Sequence, residues 1–296
     1  MRYVIYVKGD RGIQSLEGLK QSTIIPELCI SEQSDPVIID FCNQNSIKCI
    51  VENRPKSVEH VKLVTELNFD LLVCAGYSKI LPLSLFQAMP YGAVNCHGGR
   101  LPEYRGASPI PWQFINDEKY GVAYILKMTE GIDDGPILAQ GRYEITEDDT
   151  ARSVTDKVSN IFRKIVPEVV CLIAEGKYPE GTLQDEALAC HWTRRYPEDG
   201  EIKWDKLTAR QAVNLIRALD DPYPGAFIKI NGNKIVIRKA RQLNKKMAGV
   251  AGRCVGKTDA GTIVLATDGA VEILEYLDNS NVMAGNLLPV RYGEAL

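Results

Sequence analysis

The chain has 296 residues, 45% of them hydrophobic and 25% charged, with a formal net charge of -3. That composition is ordinary for a globular protein and holds enough apolar content for one large domain with a smaller one attached. No run of about 18 apolar residues is present, which argues against a membrane-spanning helix, and the slightly acidic balance is a poor match to a protein whose main partner is RNA.

Residues 1–7 form an apolar run that Lys8, Gly9 and Asp10 interrupt, so they read as a first strand rather than a signal peptide. Beyond them, apolar runs alternate with helix-like stretches. Strands are predicted over 4–7, 28–30, 47–51, 71–75 and 93–97, with helices over 14–20, 36–45 and 58–67 between them. Such alternation predicts an α/β fold, a Rossmann-like and mostly parallel sheet with helices on both faces. Two further strands over 122–128 and 137–143, and a long amphipathic helix over 151–175 with Asp148 or Asp149 near its cap, complete a first domain of residues 1–176.

Residues 177–205 are polar, carry Pro179 and Pro197 and lack periodicity, so they read as an extended linker laid over the surface. A helix over 209–219 follows, then a turn at Asp221-Pro222-Tyr223-Pro224-Gly225. Short strands over 226–230, 234–238, 253–256, 263–266 and 271–276, joined by Asn231-Gly232-Asn233, Asp259-Ala260-Gly261 and Asp268-Gly269, predict a small OB-like β-barrel over 206–296. Eight single cysteines, Cys29, Cys42, Cys49, Cys74, Cys96, Cys171, Cys190 and Cys254, include no Cys-x-x-Cys pair and read as reduced, buried thiols rather than disulfides or a zinc site.

Chemistry concentrates at Asn95-Cys96-His97, the end of the fifth strand. Residues two apart on a strand point to the same side, and in open sheets ligands bind beyond the carboxyl ends of the strands. Asn95 and His97 can therefore reach one reacting atom. About three dozen residues later, Gly131-Ile132-Asp133-Asp134-Gly135 is an acidic turn able to return a carboxylate to the imidazole. An amide donor for an oxyanion, a base for an attacking amine and an anion make an acyl-transfer set that requires no metal. Arg11, in Gly9-Asp10-Arg11-Gly12 after the first strand, is a candidate phosphate contact, with a simple turn as the alternative. His60, on a polar helix face, and His191, in the linker, read as bystanders.

The motif Asn95-x-His97, followed by Leu101-Pro102-x-Tyr104-Arg105-Gly106 and then by Asp133-x-Gly135, resembles the formyltransferase family that uses N10-formyltetrahydrofolate. The resemblance runs through most of the chain. It implies Asn95, His97 and Asp133 as the catalytic set, with Asp134 a solvated turn residue. It also implies a folate pocket at Gly76, Tyr77, Ser78, Lys79, Ile80 and Leu81, with Ile132 from the segment before Asp133. Tyr104 and Arg105 are candidate acceptor contacts beside Arg11, packing of their loop being the alternative. The barrel, with Trp204-Asp205 ahead of it, is similar to the second domain of the tRNA and sugar-nucleotide branches.

Within the family, methionyl-tRNA formyltransferases have a basic, glycine-containing insertion after the second strand, where this chain has the short, acidic Ile30-Ser31-Glu32-Gln33-Ser34-Asp35-Pro36. Arg194-Arg195-x-Pro197-Glu198-Asp199 and Asp221-Pro222-Tyr223-Pro224-Gly225-Ala226-Phe227 resemble the sugar-nucleotide branch instead. The acceptor expected is the amine of a nucleotide-linked amino sugar, in cytoplasmic synthesis of cell-surface polysaccharide or lipopolysaccharide O-antigen. Folate is the other partner, neither membrane nor nucleic acid is expected, and a homodimer is an assembly to test. The alternative is methionyl-tRNA, for which residues 206–296 speak with 13 Lys and Arg against 8 Asp and Glu and a basic patch at Arg238, Lys239, Arg241, Lys245 and Lys246.

Overall fold

The protein is described by a computed structural model over residues 1–277 and 283–296. Its secondary structure begins with β1 (Tyr3–Val7), α1 (Gly9–Gln21), β2 (Leu28–Ser31), α2 (Pro36–Gln44), β3 (Lys48–Val51), α3 (Val58–Glu66), β4 (Leu71–Ala75) and β5 (Ala93–His97). Next come β6 (Arg105–Gly106), α4 (Pro109–Ile115), β7 (Tyr120–Lys127), β8 (Ile137–Glu144), α5 (Ala151–Ala174) and β9 (His191–Trp192). The central sheet has the order β3-β2-β1-β4-β5-β7-β8, parallel from β3 to β5 and antiparallel beyond. The direction of strand addition reverses between β1 and β4, the point at which open α/β sheets bind ligands beyond the carboxyl ends of their strands.

Alternation along the strands sorts the side chains onto two faces. Val4 and Tyr6 of β1, Leu28 and Ile30 of β2, and Leu72 and Cys74 of β4 pack with Val64 of α3, Phe69, Leu85 and Phe86 in one buried cluster. The intervening residues Ile5, Cys29 and Val73 are equally buried and face the other way. Helix starts follow local chemistry. The Asp35 carboxylate accepts from the Val37 amide at 3.1 Å, with Pro36 opening α2, and Ser57 accepts from the His60 amide at 3.2 Å to open α3.

Two helical segments depart from expectation. α1 begins at Gly9 instead of residue 14, so the presumed loop around Arg11 is the first turn of a helix whose glycines conceal it from propensity. α4 was not predicted, because Pro109 and Pro111 argue against a helix. Both lie in its first turn, where no intrahelical N–H is needed.

Two compact units are present. The first comprises Met1–Pro109, Tyr120–Glu144 and Thr155–Trp192, and the second Ile110–Lys119, Ile145–Val154 and Thr193–Leu296. In the second unit α6 (Ala209–Ala218) is opened by a reciprocal cap between Thr208 and Gln211. It is followed by β10 (Ala226–Ile230), β11 (Asn233–Leu243), β12 (Cys254–Lys257), β13 (Thr262–Leu265), β14 (Ala270–Leu277) and β15 (Met283–Gly285). These form an antiparallel sheet in the order β10-β11-β14-β13-β12, with β15 also on β14. Arg210 of α6 ties Asp117 at 2.6 Å and also bonds Glu147, while Arg217 donates to the Asp149 carbonyl at 2.8 Å. Asp149 itself accepts from Ser153 in the first turn of α5 at 2.7 Å.

Candidate active site

At the carboxyl end of β5 the structure brings Asn95, His97 and Asp133 together. His97 is buried, 5% exposed, with Nδ1 3.3 Å from Asp133 Oδ2 and Nε2 2.7 Å from the Tyr104 carbonyl. A carbonyl oxygen only accepts, so Nε2 carries a hydrogen and Nδ1 is the nitrogen that gains or releases a proton. Asn95 Nδ2 donates to Asp133 Oδ1 at 2.9 Å, and the Gly106 amide donates to Oδ2 at 2.9 Å. Burial pushes the Asp133 carboxyl up, but the His97 charge, with hydrogen bonds from His97, Gly106 and Asn95, prevails and holds it below the usual aspartate value. An ionised acceptor therefore faces Nδ1.

The turn that supplies Asp133 has strict backbone requirements. Asp133 sits in the left-handed region with φ 54°, which aspartate tolerates better than most residues. At Gly135 a Cβ would overlap the Lys127 carbonyl, which gives the Asp-x-Gly pattern a steric reason. Asp134, expected to be a solvated turn residue, is partly exposed and accepts from the exposed Thr129 hydroxyl.

Gln184, from the segment read as a linker, holds this turn in place. Its Nε2 donates to the carbonyls of Asp133 and Gly135, both at 2.8 Å, and its Oε1 accepts from Arg105 Nε at 3.0 Å. Arg105 is fully buried and bridges to both oxygens of Glu186. The candidate acceptor contact thus has its guanidinium engaged within the protein, as loop packing requires. Tyr104 is buried against Trp192, rings stacked at 5.5 Å, and meets the imidazole through its carbonyl. The parallel pairing of β6 with β9 fastens the same segment to the loop. Neither Gln184 nor Trp192 was singled out in the sequence, since a polar stretch without periodicity conceals which residue bonds inward; the aromatic at 192 was the one available signal.

The second part of the site lies at the sheet reversal. Gly76, with φ +83°, follows β4, and a Cβ there would stand 2.6 Å from the Lys8 carbonyl and 3.2 Å from Arg11 Cβ. Of the expected folate-loop residues, Tyr77 and Leu81 turn into the core, Tyr77 also donating to the Glu52 carbonyl at 2.7 Å. Ser78, Lys79 and Ile80 are left exposed, and Ile80 and Ile132 are 63% and 50% exposed. The loop is held by Glu32, which accepts from the Ser78 amide at 2.5 Å, the Ser78 hydroxyl at 2.7 Å and Lys8 Nζ at 2.8 Å. Burial pushes the Glu32 carboxyl up, but these bonds keep it below the usual glutamate range.

The Arg11 guanidinium has no hydrogen-bond or ion-pair partner among the described residues. Its charge is felt by the Cys74 and Cys96 thiols near the ends of β4 and β5. An uncompensated cation on the first turn of a helix at the sheet's carboxyl edge is suited to an anionic ligand.

His60 corrects another expectation. It is 3% exposed, turned into the core, with Nε2 2.8 Å from Tyr6 Oη and Nδ1 3.7 Å from Glu52. His191 is exposed on β9.

Residues 9–170 match the family described as formyl transferase, and residues 195–288 match the formyl transferase C-terminal domain. The chain is 32% identical over 242 residues to methionyl-tRNA formyltransferase of Ruminiclostridium cellulolyticum, covering 81% of this chain and 77% of that protein. It is 35% identical over 190 residues to the bifunctional polymyxin resistance protein ArnA of Wigglesworthia glossinidia brevipalpis, covering 63% of this chain but 29% of the relative. In structure it is similar to an N-formyltransferase from Helicobacter canadensis, solved with folinic acid and dTDP-3-aminofucose, with TM-score 0.71 and 19% identity over 93% of this chain and 99% of the other.

Proposed function

The chain belongs to the formyl transferase family and is a formyl-transferring enzyme, and from that premise we propose that it moves a formyl group from N10-formyltetrahydrofolate to the amine of a nucleotide-linked amino sugar. An amine attacks a formyl carbon only when neutral, and the carbonyl oxygen becomes anionic as it does so. As the amine nitrogen bonds to the formyl carbon, His97 Nδ1 takes the amine proton, and the resulting imidazolium is held between the Asp133 carboxylate and the Tyr104 carbonyl. As the formyl carbon–N10 bond breaks, the imidazolium returns that proton to N10 of the departing tetrahydrofolate. Asn95 has two Nδ2 hydrogens. One is bonded to Asp133 at 2.9 Å, and the other is free to donate to the developing oxyanion. Gln184 and the Gly106 amide position Asp133 for this work. For the donor, exposed Ile80 and Ile132 suit the flat apolar face of a pterin, and the Gly76 cradle admits close backbone approach.

The observation that carries the acceptor assignment is the distribution of charge. In the basic patch Arg238 faces Asp220 at 3.5 Å, Lys239 faces Glu275 at 3.8 Å and Arg241 is bonded to the buried Glu272 at 2.6 Å. Lys245 and Lys246 alone of that patch have no ion-pair partner among the described residues. A nucleic-acid face needs many unneutralised cations. Arg11, without a partner among the described residues, stands at the sheet reversal, where the phosphates of a sugar nucleotide would lie. The structural relative bound to dTDP-3-aminofucose supports the same class of acceptor, and a role in cell-surface polysaccharide or lipopolysaccharide synthesis goes with it.

A second reading, methionyl-tRNA as acceptor, is favoured by the 32% identity to a methionyl-tRNA formyltransferase over most of both chains. One competition assay separates them. Purified protein with N10-formyltetrahydrofolate is offered methionyl-tRNA together with UDP-, dTDP- and GDP-linked amino sugars. Formylation of a sugar nucleotide, unaffected by neutralising Lys245 and Lys246, is the expected result. Efficient formylation of the tRNA alone, with steep salt dependence, would establish the second reading.

A further inference from the structure

Three of the eight cysteines converge far along the chain from the catalytic set. Cys29 on β2 and Cys49 on β3 are register partners in a parallel pair, so their side chains leave the sheet on the same face. That face is covered by α2, which turns Cys42 inward with Ile38 and Phe41. The three sulfurs all lie within 4.8 Å of one another, and no described imidazole or carboxylate joins them. We propose that Cys29, Cys42 and Cys49 bind one soft, monovalent d10 metal ion of the Cu(I) type in three-coordinate sulfur geometry.

The argument is one of ligand type, number and spacing. Three sulfurs around an ion at thiolate distances of about 2.3 Å stand about 4.0 Å apart in a trigonal plane, so the cluster needs only a small contraction. Hard cations require oxygen ligands, and structural zinc sites take four ligands, whereas this cluster offers three sulfurs among the described residues. Thiolate sulfur selects Cu(I) among first-row ions. Cys29 and Cys42 are fully buried while Cys49 is half-buried on the edge strand β3, which provides an entry path. Each sulfur that binds as thiolate releases one proton. The ion would fasten α2 to the β2-β3 edge.

The test uses the full chain, reduced and free of oxygen, titrated with Cu(I) against a chromogenic Cu(I) chelator. One tightly retained equivalent is expected, with X-ray absorption showing three sulfur neighbours at about 2.3 Å and a raised Tm, since the ion binds the folded state. Cys49→Ser should weaken retention at least tenfold, whereas Cys190→Ser, at an exposed single cysteine, should leave it unchanged. Loss of all copper to the chelator, a shell containing nitrogen or oxygen, or equal retention by Cys49→Ser would overturn the proposal. The absorption measurement on the unaltered protein decides the matter even if Cys49→Ser folds poorly.

Discussion

His97 and His60 are both buried imidazoles with an oxygen against Nε2 and a carboxylate near Nδ1, yet their surroundings prepare them for different work. At His97 the oxygen is a carbonyl, which dictates where the hydrogen lies, and the carboxylate is 3.3 Å away and clamped by Asn95 and Gly106. At His60 the oxygen is the Tyr6 hydroxyl, which can donate or accept, and the carboxylate stands at 3.7 Å. Burial lowers the His60 pKa more than Glu52 raises it, so His60 remains neutral and fills the core. Burial and an acidic neighbour are thus common to a structural and a candidate catalytic histidine. What separates them is a second polar group, Asn95, aimed at the same open edge of the sheet.

The comparison breaks most sharply at the carboxylates. Asp133→Asn should reduce formyl transfer by roughly a hundredfold or more while preserving the fold, because the amide keeps its shape but cannot stabilise the imidazolium. Glu52→Gln should leave turnover within about threefold, a bound set by the absence of any transition-state contact. Steady-state kinetics on the two variants checks both. Asn95→Ala removes a donor to the oxyanion and should lower kcat about a hundredfold with KM for the formyl donor little changed; a change in KM alone would reassign Asn95 to binding. Gln184→Ala loosens the Asp133 turn and should cost about tenfold in kcat. Its pH profile should keep the shape of the wild type, since no titrating group is removed.

The strands that carry these residues were legible because parallel strands buried on both faces read as short apolar runs, and β4 and β5 fall where the pattern places them. Asn95 and His97 were legible for the same reason, their two-residue spacing putting them on one side. What the pattern missed depends on contacts through space. Gln184 acts across 51 residues to reach Asp133, and Glu32, read only as part of a short acidic segment after the second strand, is a buried brace for Ser78. His60 turns inward because Tyr6 offers it a partner, something the polarity of α3 does not reveal. The cysteine triad is invisible to any search for local pairs, since register and helix docking assemble it.

The smallest effect concerns stability. His60 takes up a proton less readily folded than unfolded, where its pKa is about 6.5. The unfolded state therefore binds more protons as the pH falls through that value. The stability associated with a neutral His60 is complete above about pH 6.5 and declines below it. Thermal melts from pH 7.5 to 5.5 should show a falling Tm, with a shallower slope in His60→Gln. An identical slope in that variant would assign the loss to other groups.

The most direct test of the account is the single-turnover rate of formyl transfer, per folded enzyme, for His97→Asn beside His60→Asn. A loss of at least about a hundredfold is predicted for the first, with near-normal turnover and a lower Tm for the second, because Tyr6 loses a buried partner worth about 1–3 kcal/mol. Near-normal transfer by His97→Asn, or equal losses in both variants, would contradict the assignment of His97 as the proton acceptor.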